Sequence, residues 1–248
     1  MLRRILYELR NQMAAVIGIM LLALCIQTIV VLLNADREAY DLCMMDGFSL
    51  SSIYMESTTV PIIALAVIVS LKDNFNSVRV IQEKNIRGLW IYVYIKIAVI
   101  SFICAFISTV YCGILGKIIS DRLYSWDSMR SIYVWFSGEA LSEYSYIYLI
   151  TMYLVDLLIK TVIVSALSLT SYWMVNSYIL GFIAGAGAGI AGDWFQLMWS
   201  EYTGAGYVAV INGIDIKYQY IYPIVIFVIL FFIGFIVSKR DFLPKEEL

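Results

Sequence analysis

Six apolar runs alternate with polar stretches along the chain, at about 13–33, 52–71, 91–112, 148–170, 174–192 and 221–237. A bilayer core takes about 20 apolar residues per helix. Each run is near that length, so the pattern predicts an all-α, polytopic membrane protein with six transmembrane helices. The first run is uncharged, is followed by further spans and has no small-x-small cleavage pattern. It reads as a retained anchor rather than a removed signal peptide. Two polar stretches also carry helical periodicity. In residues 1–12, Leu2, Ile5, Leu6 and Leu9 share one face, while Arg3, Arg4, Glu8 and Arg10 occupy others. This predicts an amphipathic interfacial helix leading into the first span. The stretch 73–90, DNFNSVRVIQEKNIRGLW, places Phe75, Val78, Ile81 or Gln82, Ile86 and Leu89 near one face. Arg79 and Glu83 are spaced i, i+4, as are Glu83 and Arg87, so ion pairs support a helix here. Gly88 allows a bend, and Trp90 reads as an interfacial aromatic opening the third span. Two readings of 73–90 stand side by side: a helix lying on the leaflet, or a helix docked in a groove of a partner.

Composition strengthens the membrane reading. The chain is 62% hydrophobic and 15% charged, against about 45–50% apolar and about 25% charged in soluble domains. Lys and Arg set the orientation. With the N-terminus cytoplasmic, the inner loops hold Arg3, Arg4, Arg10, Lys72, Arg79, Lys84, Arg87, Lys239, Arg240 and Lys245, with Lys96 close by. The outer loops hold fewer, and the first of them is acidic at Asp36, Glu38, Asp41 and Asp46. Both termini are therefore expected in the cytoplasm, and 73–90 becomes a cytoplasmic loop. A net charge of −2 leaves no nucleic-acid footprint. Histidine is absent, which excludes His acid/base chemistry and most zinc sites. The four cysteines show no CxxC spacing. Cys25 and Cys104 fall in spans, whereas Cys43 and Cys112 are both placed on the outer side, leaving a disulfide between them open. The nearest string to a P-loop, GILGKI at 113–118, is too short and lacks the Ser or Thr that meets magnesium.

Three segments together resemble the permease subunit of type-2 ABC exporters in its small six-span form. They are the opening LRRILYELRNQ, the loop DNFNSVRVIQEKNIRGLWIYVYIK with Asp73, Arg87 and Lys96 at matching positions, and the end IVSKRDFL with Lys239, Arg240 and Asp241. The resemblance spans the chain in topology and about 45 residues in motif. It implies two permeases paired in a bacterial cell membrane above two ATP-binding subunits. Residues 73–90 are then the coupling helix, with Asp73, Phe75, Val78, Arg79, Glu83 and Arg87 at the contact with the ATPase. It further implies that this chain is not an enzyme and binds no cofactor, with ATP and Mg on the partner. The implied cargo is hydrophobic or amphipathic, a peptide in export or antimicrobial-peptide immunity. The resemblance further implies that the segment 193–220 partly re-enters the outer leaflet, whereas its aromatics equally fit an ordinary interfacial belt.

Polar and small residues within the spans add candidates. Asp156 and Lys160, spaced i, i+4 in the fourth span, are either a point on the substrate pathway, or at a permease contact, or a self-satisfied pair. Gly181, Gly185 and Gly189 repeat every four residues in the fifth span, which suits close helix packing within one subunit or at a dimer seam. Two rival functions remain. An intramembrane aspartyl protease needs two facing aspartates, but Asp41 sits in an acidic loop and Asp193 at a span end. A stand-alone channel or secondary transporter would show a filter, charged rings or an internal repeat, and none is evident.

Overall fold

The computed structural model describes residues 2–36, 38–52, 55–71, 86–137, 140, 145–175, 177–194 and 216–237. These residues form helices and turns: α1 (Leu2–Asn34), α2 (Asp46–Ser52), a π-helical turn (Met55–Thr59), α3 (Val60–Leu71), α4 (Ile86–Ile119), α5 (Ile132–Ser137), α6 (Tyr146–Val175), α7 (Tyr178–Trp194) and α8 (Ile216–Val237). All six apolar runs lie on helix wherever they are described, apart from Ser177 between α6 and α7. Among the described residues, three helices are long and apolar enough to cross a membrane, at Gln12–Asn34, Gly88–Ile119 and Tyr146–Tyr172. The fold is thus all-helical among the described residues and compatible with a membrane protein.

The second run departs from a plain span. Asp46–Ser52 and Ser57–Leu71 meet at 62°. Pro61, in the first turn of α3, has no N–H to give, and its ring pushes away the carbonyl four residues back. The ladder opens there into the π turn. The shorter apolar helices Ile179–Ala188 and Ile224–Ile236 complete the set.

The helices run alternately along the bundle. Lys96 on α4 meets Glu8 on α1 and Ser70 on α3, so α1 and α4 start where α3 ends. Tyr94 on α4 meets Thr170 near the end of α6 and Phe227 and Phe231 on α8, so α6 and α8 run against α4. Gly181 and Gly185 face Tyr172 and Ser168, so α7 runs back against α6. The end at which α1 and α4 start is called here the near end, and the opposite end the far end. Central in the bundle, α6 packs on α3, α4, α7 and α8. The N-terminal turns of α1 continue into the first apolar run without a break. Likewise α4 passes through Gly88 as unbroken helix.

Candidate functional site

Lys96 carries the most demanding chemistry at the near end. Its side chain is 1% exposed, yet it bears a charge. Its Nζ donates to Glu8 Oε2 at 3.1 Å and to the Ser70 carbonyl at 2.7 Å. Ser70 belongs to the last turn of α3, whose carbonyls lack intrahelical donors. One ammonium therefore ties α1, the last turn of α3 and α4 together. Next to this clamp, Trp90 is fully buried, contrary to its reading as an interfacial aromatic. Its Nε1 donates to the Phe231 carbonyl at 3.2 Å, and Gly234 makes room for its ring. A Cβ on Gly234 would stand 1.8 Å from Trp90 Cζ2. The final helix is thus seated on the start of α4.

Of the residues assigned to the coupling helix, Asp73, Phe75, Val78, Arg79 and Glu83 lie outside the described residues. Arg87 lies in the first turn of α4, with its side chain outside them. Asp156 and Lys160 do pair, with Lys160 Nζ 2.8 Å from Asp156 Oδ2. The Lys160 side chain is 4% exposed and that of Asp156 21%. The self-satisfied pair is therefore present along α6. Gly181 and Gly185 pack on α6 within the same chain. A Cβ on Gly185 would meet Ser168 Oγ at 1.8 Å, and one on Gly181 the Ser168 carbonyl at 2.7 Å. Gly189 continues α7, and its surroundings lie outside the described residues.

A polar knot near the far end was not anticipated. Gln27 Nε2, from α1, donates to Ser108 Oγ on α4 at 2.6 Å, and reaches Ser51 Oγ and Tyr153 OH at 3.4 Å each. Ser51 and Tyr153 hydroxyls lie 2.7 Å apart. Cys112 Sγ lies 3.2 Å from both oxygens. The sequence held one signal for it: Gln27 is a lone amide in an apolar run, and buried polar groups find partners. Cys43 and Cys112 are free thiols, so the disulfide left open by the sequence is not formed.

The two far-end loops are knitted into a cap. The Asp41 amide donates to the Arg130 carbonyl at 3.0 Å and the Met44 amide to the Arg122 carbonyl at 2.7 Å. Asp46, fully buried, accepts from Trp126 Nε1 at 2.8 Å and from the Cys43 amide at 2.7 Å. Ser128 Oγ donates to Asp41 Oδ2 at 2.5 Å, which places Asp41 in the cap rather than opposite a second aspartate. Burial, helped by the Asp46 charge, pushes the Cys43 thiol up to about 12. An open cleft of 490 Å³ lies beside the cap, lined by Asp41, Lys117, Asp121 and Arg122 among others. There the bond donated by Lys117, with its charge, lowers the Asp121 carboxyl below its ordinary value. Among the described residues, no group of three or more His, Cys, Asp or Glu is placed to hold a metal.

Comparisons with protein-family models, with curated proteins and with solved structures gave no match.

Proposed function

We infer that this chain is the transmembrane subunit of an ATP-driven ABC exporter. It sits in a bacterial cell membrane with six spans and both termini cytoplasmic, as the Lys and Arg distribution orients it. The observation that carries the reading is the Lys96 clamp. The polar stretch leaves α3 at Leu71 and returns at Ile86. The α3 end of it is bonded, through the buried ammonium of Lys96, to α1 and to α4 about 15 Å beyond Ile86. A push on that stretch reaches three helices at once instead of bending one. A motor subunit needs such a junction to move buried helices.

In this reading Asp73, Phe75, Val78, Arg79, Glu83 and Arg87 meet the ATP-binding partner, which holds ATP and Mg. ATP drives the change by binding the closed ATPase pair more tightly than the open one. A second permease copy completes the translocation path. The cargo is a hydrophobic or amphipathic peptide, which the sequence resemblance favours.

The test replaces Phe75 and Val78 with Asp. The variant is expected to insert and accumulate as wild type does, but to lose the co-purifying P-loop ATPase and its transport-linked ATP hydrolysis. Transport at the wild-type rate in that variant would overturn the coupling role. Failure of any P-loop protein to co-purify with the wild-type chain would overturn the exporter reading itself.

A further inference from the structure

The cleft beside the far-end cap is open and measures 490 Å³, within the range of about 300–1,000 Å³ common to small-ligand sites. Its wall carries two acids, Asp41 and Asp121, and two bases, Lys117 and Arg122. They do not simply neutralise one another. Lys117 Nζ holds Asp121 Oδ1 at 2.6 Å, but this pair is exposed, so a competing anion opens it readily. The Arg122 guanidinium is exposed and, among the described residues, meets no carboxylate and no carbonyl. Asp41 accepts a bond from Ser128 and, among the described residues, is in no ion pair. The last turn of α4 forms another part of the wall, at Lys117, Ile118 and Ile119. Carbonyls of a last turn lack intrahelical donors and give the helix end a partial negative charge. A ligand that matches this wall brings an anion for the bases, and N–H donors for Asp41 and the helix end.

The position of the cleft indicates the source of such a ligand. The span Gly88–Ile119 ends at it and has 32 residues. That is about 48 Å of helix, enough to cross hydrocarbon and headgroup layers together. The end of α4 therefore lies among headgroups. Leading up to it, Phe106, Val110, Ile114 and Ile118 follow in steps of four along α4, each 50–60% exposed. They cover about 18 Å of helix. Ile118 belongs to both this apolar strip and the cleft. Strip and cleft are thus one continuous surface, apolar along the span and charged at its end.

We propose that this surface binds a phospholipid whose headgroup joins a primary ammonium to a phosphate, as in phosphatidylethanolamine. The phosphate meets Arg122 and Lys117, the ammonium meets Asp41 and the last carbonyls of α4, and an acyl chain lies on the strip. A choline headgroup offers the same phosphate but no N–H. The site rests on the membrane placement of the chain and not on its being an exporter.

The purified chain, in micelles, is titrated with dioleoyl phosphatidylethanolamine or dioleoyl phosphatidylcholine, and bound lipid is read by native mass spectrometry. The wild-type chain is expected to bind the ethanolamine lipid about fivefold more tightly, the upper end for a solvent-exposed ionic contact. Asp41→Asn keeps an acceptor for Ser128 and is expected to abolish this preference while leaving affinity for the choline lipid unchanged. Arg122→Gln is expected to weaken both lipids by a similar factor, about fivefold. Glycerophosphoethanolamine, the same headgroup without chains, is expected not to compete at equal concentration. Equal binding of the two lipids by the wild-type chain overturns the proposal. A preference that survives both substitutions puts the lipid elsewhere and overturns the site. Effective competition by the chainless headgroup overturns the lipid assignment in favour of a soluble ligand. Should either variant fail to accumulate, the wild-type chain decides. An ethanolamine lipid with a diazirine in its acyl chain is expected to label α4 between Phe106 and Ile118, and label confined to other helices overturns the site. None of these readouts needs an ATPase. A chain that binds lipid as expected yet brings down no P-loop protein would sink the exporter reading and leave the lipid site standing.

Discussion

Replacing Glu8 with Gln removes the carboxylate from the buried Lys96 and leaves the shape of the clamp. At 3.1 Å and an effective dielectric of about 20, the two charges attract by about 5 kcal/mol. Desolvation of both ions cancels part of this, and breaking one side of a buried pair costs about 3–5 kcal/mol. The two sides are not equivalent. The Lys96 side chain is 1% exposed and that of Glu8 15%. Without Glu8 the ammonium stays trapped in the core, whereas without Lys96 the carboxylate turns outward to water. Glu8→Gln is therefore expected to destabilise by about 3 kcal/mol. Lys96→Met is expected to cost only about 1 kcal/mol, chiefly from the Ser70 carbonyl losing a donor. The double variant is expected to resemble Lys96→Met alone, giving a coupling of about 3 kcal/mol in the mutant cycle. The assay is unfolding in mixed micelles by titrated denaturing detergent, followed by tryptophan fluorescence, since Trp90 lies less than two turns before Lys96 on α4. Additive single effects, or a Lys96→Met chain weaker than Glu8→Gln, would refute the account of a one-sided trap.

The glycines of α7 divide by their surroundings. Gly185→Leu forces side-chain atoms against Ser168 and the Val164 carbonyl and is expected to cost about 3 kcal/mol. Gly187→Ala meets nothing within 4 Å and is expected to stabilise by about 0.5–1 kcal/mol; thermal unfolding of the two chains checks the contrast. Cys43 gives a pH signature. Its thiol is raised from 9.0 to about 12, first by burial and then by the Asp46 charge. The unfolded chain ionises this thiol near 9.0 while the folded chain does not. Its contribution is thus complete below pH 9 and is lost as pH climbs toward 12. Wild-type stability is expected to fall more steeply than that of Cys43→Ala between pH 9 and 11, and a constant difference would count against it.

Helix positions were readable because each follows from a local run of apolar residues, which needs no knowledge of neighbours. The bend at the second run was also readable in principle, since Pro61 stands inside an apolar pattern. What escaped depends on residues far apart in the chain. Glu8 and Lys96 are separated by 88 positions, and periodicity placed them on separate helices without pairing them. From sequence alone Trp90 reads as an interfacial aromatic, because its position at the head of a run fits that role. Only the arrival of α8, with Gly234 opposite, makes it a core residue. Asp156 and Lys160 were legible as a pair because four residues on one helix fix their separation. The buried hydroxyls of Thr161, Ser165 and Ser168 on α6, which have no hydrogen-bond partner among the described residues, gave no such signal, since a helical Ser or Thr ordinarily bonds to its own backbone.

The far-end cap bears on biogenesis. Asp46 is fully buried at the start of α2, and its partner Trp126 lies 80 residues later. At about 5–20 residues per second of synthesis, that partner is made about 4–16 s after the carboxylate needs it. During that interval α2, just ahead of the second apolar run, holds an acid it cannot seat. Its final placement therefore waits on the translation of residues 120–137, so slowing the ribosome between these segments prolongs exposure of α2 to quality-control proteases.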